Sequence, residues 1–231
     1  MPHKLIQARK RTEQPETTRL HRGTATRFRF TMGALEDLRA SVSLPGQLER
    51  CSRNVALVAL LWKGFARVRL EVQGLPRSHE LDLAVPMNMR TRGLSEGYMG
   101  NGLCRLSVPA TLQELCDNQL CYVVDKIKRT LEGLDLWESL QSMMDQIELH
   151  LRNGLTPYKV GLTMTSLVAL PFYDTDCGWG SPTYVGRPSQ HLTSSCIIMG
   201  HPMAQAWNVL VVFSSLGEHA CFQETIAKYI S

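Results

Sequence analysis

Between residues 28 and 229 the apolar side chains change their spacing repeatedly, from every second position to every third or fourth and back again. That interleaving restricts the chain to folds in which helices lie on a sheet, and the expected class is α/β or α+β. Phe28, Phe30 and Met32 alternate as a short strand does, and Leu35, Leu38 and Val42 follow at helical spacing. Residues 43–46, Ser-Leu-Pro-Gly, break that helix, and a second, largely buried helix is expected from Asn54 to Arg67 with Trp62 as its anchor. Residues 68–72 and 81–85 alternate once more, which predicts two half-buried strands around a turn at 74–78, able to pair as a hairpin. The glycines of 90–101 mark a loop, 103–110 reads as a strand, and Thr111 caps a helical stretch over 112–131 that Asp117 and Asn118 interrupt. Asp135 and Glu138 have capping-box spacing ahead of a helix that Gly154 closes, with Met143 and Met144 assigned to its buried face. Beyond Val160 three strand-like runs precede a short helix around 222–229.

Composition removes several classes of protein. With 231 residues, 44% hydrophobic and 20% charged, the chain can bury a core and is not disordered. No window approaches the roughly 18 apolar residues of a membrane span, and the N-terminus turns polar after Leu5 and Ile6, where a secretory signal would stay apolar. Seven cysteines without a C-x-x-C pair read as reduced thiols in a cytoplasmic protein, and no metal site is expected. Residues 1–29 carry eight basic and two acidic side chains, whereas the rest of the chain carries 17 and 19. The positive excess therefore sits in a leader, which reads as an arm for an anionic surface, a transit peptide or a solvated linker. Aromatic residues join the basic ones only at Phe28 and Phe30, so no base-stacking platform is present and no nucleic-acid partner is expected.

Few motifs carry chemistry. Gly93-Leu94-Ser95-Glu96-Gly97 matches G-x-S-x-G, but a nucleophilic Ser95 would need a buried strand before it and a helix after it. Neither flank qualifies, and a plain glycine turn is the better reading. The glycines of 97–102 lack the G-x-G-x-x-G spacing, and His79 with Asp82, His191 and His201 read as ordinary surface or core histidines.

The informative stretch is 170–188, where Asp176-Cys177-Gly178-Trp179-Gly180 closely resembles the D-F-G-W-G signature of the BAHD family, plant and fungal acyltransferases that use acyl-CoA donors. Further landmarks occur in the family's order. Thr165-Ser166-Leu167 resembles its T-S-W, residues 57–62 with Ala66-Arg67 resemble its tryptophan-bearing helix, and Arg90-Thr91-Arg92 leading to Gly97-Tyr98-Met99-Gly100-Asn101 resembles its R-x-R loop.

This resemblance implies a chloramphenicol-acetyltransferase-like domain, a mixed sheet flanked by helices, forming the C-terminal half of a two-domain fold. Residues 28–231 would be that half and residues 1–27 the crossover from the other. It implies acyl transfer from acyl-CoA, a co-substrate and not a bound cofactor, to a small alcohol or amine acceptor in a cytoplasmic, monomeric enzyme of specialised metabolism. The family's general base is the histidine of H-x-x-x-D, and none of the seven histidines here is followed four positions on by an aspartate. The expectation is a truncated, inactive chain whose partner is the missing N-terminal half; the alternative is a non-catalytic remnant that binds acyl-CoA or a partner. By the same resemblance, Thr165 is the candidate polar contact at the reaction centre, and Leu167 stands where the family has tryptophan. Ser52 and Arg53 are candidate CoA contacts. Asp176, Gly178, Trp179 and Gly180 are scaffold, with Trp179 packed and Asp176 in a buried contact. Residues 181–200 would pack on the absent half, leaving an apolar face exposed.

Overall fold

The computed structural model describes residues 24–42, 51–90, 92–133, 135–153, 162–186, 195–201 and 205–230. Among them is a six-stranded mixed sheet in the order β1-β6-β5-β4-β2-β3, formed by β1 (Thr24–Thr31), β2 (Leu83–Asn88), β3 (Leu103–Val108), β4 (Leu162–Ser166), β5 (Ser195–His201) and β6 (Ala206–Phe213). β2, β4 and β5 run parallel, while β3 and β6 pair antiparallel at either side of that trio and β1 closes the far edge against β6. This is the mixed, helix-flanked sheet that the interleaved spacing demands.

The helices are α1 (Met32–Ser41), α2 (Arg53–Arg67), α3 (Leu112–Asp117), α4 (Leu120–Glu132), α5 (Leu136–Arg152) and α6 (Leu216–Ile226). α2 lies at the centre of the helical layer and is buried nearly all round, from Ala56 to Ala66 apart from Lys63. Trp62 is wholly enclosed, and its indole N–H donates to the Leu81 carbonyl at 3.0 Å, so the buried ring leaves no polar group unpaired. Gly64 lets α6 approach closely: a β-carbon there would stand 3.0 Å from the Phe222 ring. Lys63 Nζ, on the same helix, donates to the carbonyls of Leu115, Cys116 and Asn118 at 2.6–3.1 Å, closing the C-terminal end of α3. Desolvation lowers the pKa of that ammonium.

Several expectations need correction. Val68–Val72 is not a strand but a π-helical turn continuing α2, with Gln73 N–H donating to the Val68 carbonyl. No glycine or proline interrupts the chain between Arg67 and Gly74, an Arg67–Glu71 ion pair at helical spacing supports the turn, and the break comes only at Gly74, where φ is +66°. The expected hairpin therefore does not form, and the strand expected over 81–85 lies at Leu83–Asn88, paired with β3 and β4. The stretch over 112–131 is two helices. The reciprocal capping box belongs to Thr111 and Glu114, whereas Asp135 caps α5 by accepting from the N–H groups of Trp137 and Glu138. Met144 is 59% exposed, because α5 meets the sheet only along β3, and its inner contacts come from Leu136, Leu140 and Met143. Gly154, expected to end α5, lies outside the described residues.

Candidate functional site

The parallel trio sets the place of the site. The C-terminal ends of β2, β4 and β5, the start of β6 and the N-terminus of α2 converge at one end of the sheet, the position at which open α/β sheets present a crevice. Two cavities adjoin there. One, of about 420 Å³, is lined by Asn54 and Val58 of α2, Asn88 of β2, Arg92 and Ser166; the other, of about 510 Å³, is lined by Phe172, Tyr173, Met199 and His201. Val168, Ala169 and Trp207 line both, so the two form one groove.

Asn54 is the side chain that sequence reasoning passed over. Its Oδ1 is buried and accepts no hydrogen bond, whereas Ser52 and Arg53 beside it are already engaged. Ser52 Oγ caps α2 by accepting the Val55 N–H at 3.2 Å. Arg53 pairs with Glu36 of α1, and although desolvation pushes the other way, Arg53 and Arg39 together hold the Glu36 carboxyl below its ordinary value. Ser52 and Arg53 line neither cavity, and Asn54 lines the smaller one.

Thr165 is half-buried in β4, opposite Ile197 of β5. Side chains alternate across a strand, so Met164 and Ser166 share the face that lines the smaller cavity, while Thr165 points to the other face. The hydroxyl brought into the groove is that of Ser166. Leu167 lines the larger cavity and donates its N–H to the Ile198 carbonyl at 2.8 Å. In the R-x-R loop the two arginines separate. Arg90 donates to the carbonyls of Tyr98 and Gly100 at 2.8 and 2.7 Å and so shapes the glycine loop, whereas Arg92 faces the cavity; Thr91 lies outside the described residues. Ser95 occupies an exposed turn, its carbonyl accepting the Tyr98 N–H, and the next element is β3 rather than a helix, so the nucleophile-elbow geometry is absent. His201, expected to be an ordinary histidine, lines the larger cavity, its ring centroid 5.9 Å from that of Tyr173.

The D-C-G-W-G segment forms a turn that satisfies itself. Asp176 Oδ1 accepts the N–H groups of Gly178 and Gly180 at 2.7 and 2.9 Å, and these bonds lower the Asp176 pKa. Gly178 and Gly180 have φ of +97° and +88°, conformations that side-chain-bearing residues adopt only under strain. Two expectations fail within this chain: Trp179 is 94% exposed, and Asp176 is on the surface instead of in a buried contact. The expected orphan face is also smaller than foreseen. Ser195–Gly200 belongs to β5, inside this chain's own sheet, and Tyr184 stands under Arg27 of β1 at 5.4 Å; Leu170 and Trp179 remain exposed.

A family model described as "Transferase family" matches residues 2–225. Among curated proteins the chain is 27% identical over 187 residues to anthranilate N-benzoyltransferase protein 1 of Dianthus caryophyllus, covering 75% of this chain and 40% of that one. It is 29% identical over 172 residues to rosmarinate synthase of Plectranthus scutellarioides, covering 70% and 39%. The chain thus spans about two fifths of the length of these relatives. Among solved structures, vinorine synthase superposes with a TM-score of 0.70 at 21% identity, over 91% of this chain and 48% of that one. TRI101 of F. sporotrichioides, solved with coenzyme A and T-2, gives 0.72 at 20% identity, over 90% and 51%, and these likenesses establish a shared fold.

Proposed function

We propose a function on one premise: this chain belongs to the Transferase family, the BAHD acyltransferases. On our reading it supplies the C-terminal half of an active site that moves an acyl group from a coenzyme A thioester to a small alcohol or amine. Residues 28–231 are that half, 1–27 lead into it, and the companion half contributes the H-x-x-x-D histidine. In the transfer, a lone pair of the acceptor oxygen or nitrogen attacks the thioester carbonyl carbon and the new C–O or C–N bond forms. Negative charge gathers on the former carbonyl oxygen, the C–S bond then breaks, and the acceptor's proton passes by way of the base to the departing thiolate.

The observation that carries this reading is the unpaired Asn54 Oδ1 in the smaller cavity. A buried acceptor without a donor costs on the order of 1–3 kcal/mol, and a ligand N–H would recover that loss. The pantetheine arm of an acyl-CoA carries two amide N–H groups on a slender chain, and Arg92 in the same cavity offers a charge to its phosphates. Ser166 is the hydroxyl placed to donate to the carbonyl oxygen as charge develops, and Thr165 supports that strand from the opposite face. Ser52 and Arg53 hold the start of α2, and through it Asn54, in place. Gly178, Gly180 and Asp176 keep the scaffold role, with Trp179 free to pack on the companion half. The exposure of Trp179 also suits a second reading, a non-catalytic protein that binds acyl-CoA or a partner.

Calorimetric titration of the chain with coenzyme A tests the proposal. We expect saturable binding that Asn54→Leu weakens on the order of tenfold, with no loss of thermal stability because the substitution removes an unpaired polar group. No binding, or equal binding by the variant, overturns it. Acyl transfer on mixing with a family N-terminal half that carries H-x-x-x-D would favour the enzyme over the second reading.

A further inference from the structure

The groove changes character at Trp207. On one side lie Asn54, Asn88, Arg92 and Ser166, a polar wall suited to a linear arm of amides. Beyond Trp207 the larger cavity presents Phe172 and Tyr173 from a short 3-10 turn, Met32 from the start of α1 and Met199 from β5, with His201 as a hydrogen-bonding group among them. The Tyr173 ring is held in place: its hydroxyl accepts the Val185 N–H at 3.1 Å, and the ring stands at 41° to His201. Rings set at an angle and thioether side chains favour a flat aromatic guest, which meets ring edges and polarizable sulfur on its faces. A two-carbon group would leave most of a 510 Å³ space without partner atoms.

We propose that this cavity is the acyl-recognition site and that the acyl group it takes is aromatic, an arylcarbonyl or arylpropenoyl group with a polar ring substituent facing His201. The inference rests on the reading of the smaller cavity as the site of the donor's arm. It adds what that reading leaves open, the chemical class of the group transferred. Trp207 marks the point where the arm ends and the acyl group begins.

The test is calorimetric titration of the full chain with coenzyme A, acetyl-CoA, benzoyl-CoA and 4-coumaroyl-CoA, repeated on Phe172→Ala and His201→Ala. Both positions lie at the edge of the packed core, and circular dichroism verifies that each variant is folded. Coenzyme A and acetyl-CoA are expected to bind alike, and the aryl thioesters on the order of tenfold tighter, the gain from burying a ring. Phe172→Ala should erase most of that preference and leave coenzyme A affinity unchanged. His201→Ala should weaken 4-coumaroyl-CoA more than benzoyl-CoA. Aryl thioesters that bind no tighter than acetyl-CoA overturn the inference while coenzyme A binding preserves the donor-arm reading. An aryl preference surviving in both variants overturns the assignment to this cavity. Failure of coenzyme A itself to bind overturns both readings.

Discussion

Trp62 and Trp179 sit in regions built on opposite terms. Trp62 is completed by this chain alone: its ring is enclosed, its N–H is bonded to Leu81, and the helix that carries it is surrounded by α1, α3, α4, α6 and the sheet. Trp179 stands on a turn whose backbone is fixed by Asp176 and two left-handed glycines, yet its ring is almost fully in solvent. The first region owes its order to packing, the second to local hydrogen bonds. A stiff turn that offers an uncovered indole is suited to meeting another surface, whereas a buried indole serves its own core.

The contrast can be broken most directly by truncating both rings. Trp62→Ala should destabilise the fold by about 3–5 kcal/mol, while Trp179→Ala should stay within about 0.5 kcal/mol, read as shifts in urea midpoint. Equal losses at the two positions would erase the distinction. A smaller effect sharpens the packing side of it. Gly64→Val should cost about 1–3 kcal/mol in the same measurement, because its branched side chain must displace the Phe222 ring. The smallest effect concerns electrostatics at the rim of the helical layer. Glu114, bonded to Lys126 Nζ at 2.8 Å and to the Thr111 N–H at 2.9 Å, is held near pKa 2 from an ordinary 4.5, with the Lys126 bond the largest cause. Its folded-state pKa is depressed, so its contribution is present above about pH 4.5 and is lost as pH falls towards 2. Thermal melts between those limits should show a shallower pH slope in Glu114→Gln than in the parent.

Much of this architecture is legible from residue spacing because burial and periodicity coincide. The α2 run is apolar on every side and could only be a central helix, and β3 is an alternating strand flanked by clear loop and cap residues. Val68–Val72 misleads because V-R-L-E-V satisfies period two as well as an i, i+4 pattern, and what decides between them is the position of the next breaker, Gly74. The site was legible to within one residue. Motif similarity points to Thr165 and to Ser52-Arg53, but strand parity with the buried Leu162 and Met164 assigns the inward hydroxyl to Ser166. At the α2 N-terminus, Ser52 and Arg53 are engaged by the cap and by Glu36, which leaves Asn54. Those partners are distant in sequence or hidden in backbone geometry, and spacing carries no trace of them. His201 joins the groove through the pairing of β5 with β4 and β6, a long-range event that no local motif announces.

The pairing of β1 with β6 has a temporal meaning. Thr24 faces Phe213, so the strand made earliest in this sheet finds its neighbour only when nearly the whole chain has been synthesised. Until then Phe28 and Phe30 have no strand beside them and neither edge of β1 is paired. Connections of this reach make closure of the sheet a late and slow step in folding. An apolar strand kept waiting in this way is the segment on which a nascent chain of this kind would first depend on a chaperone.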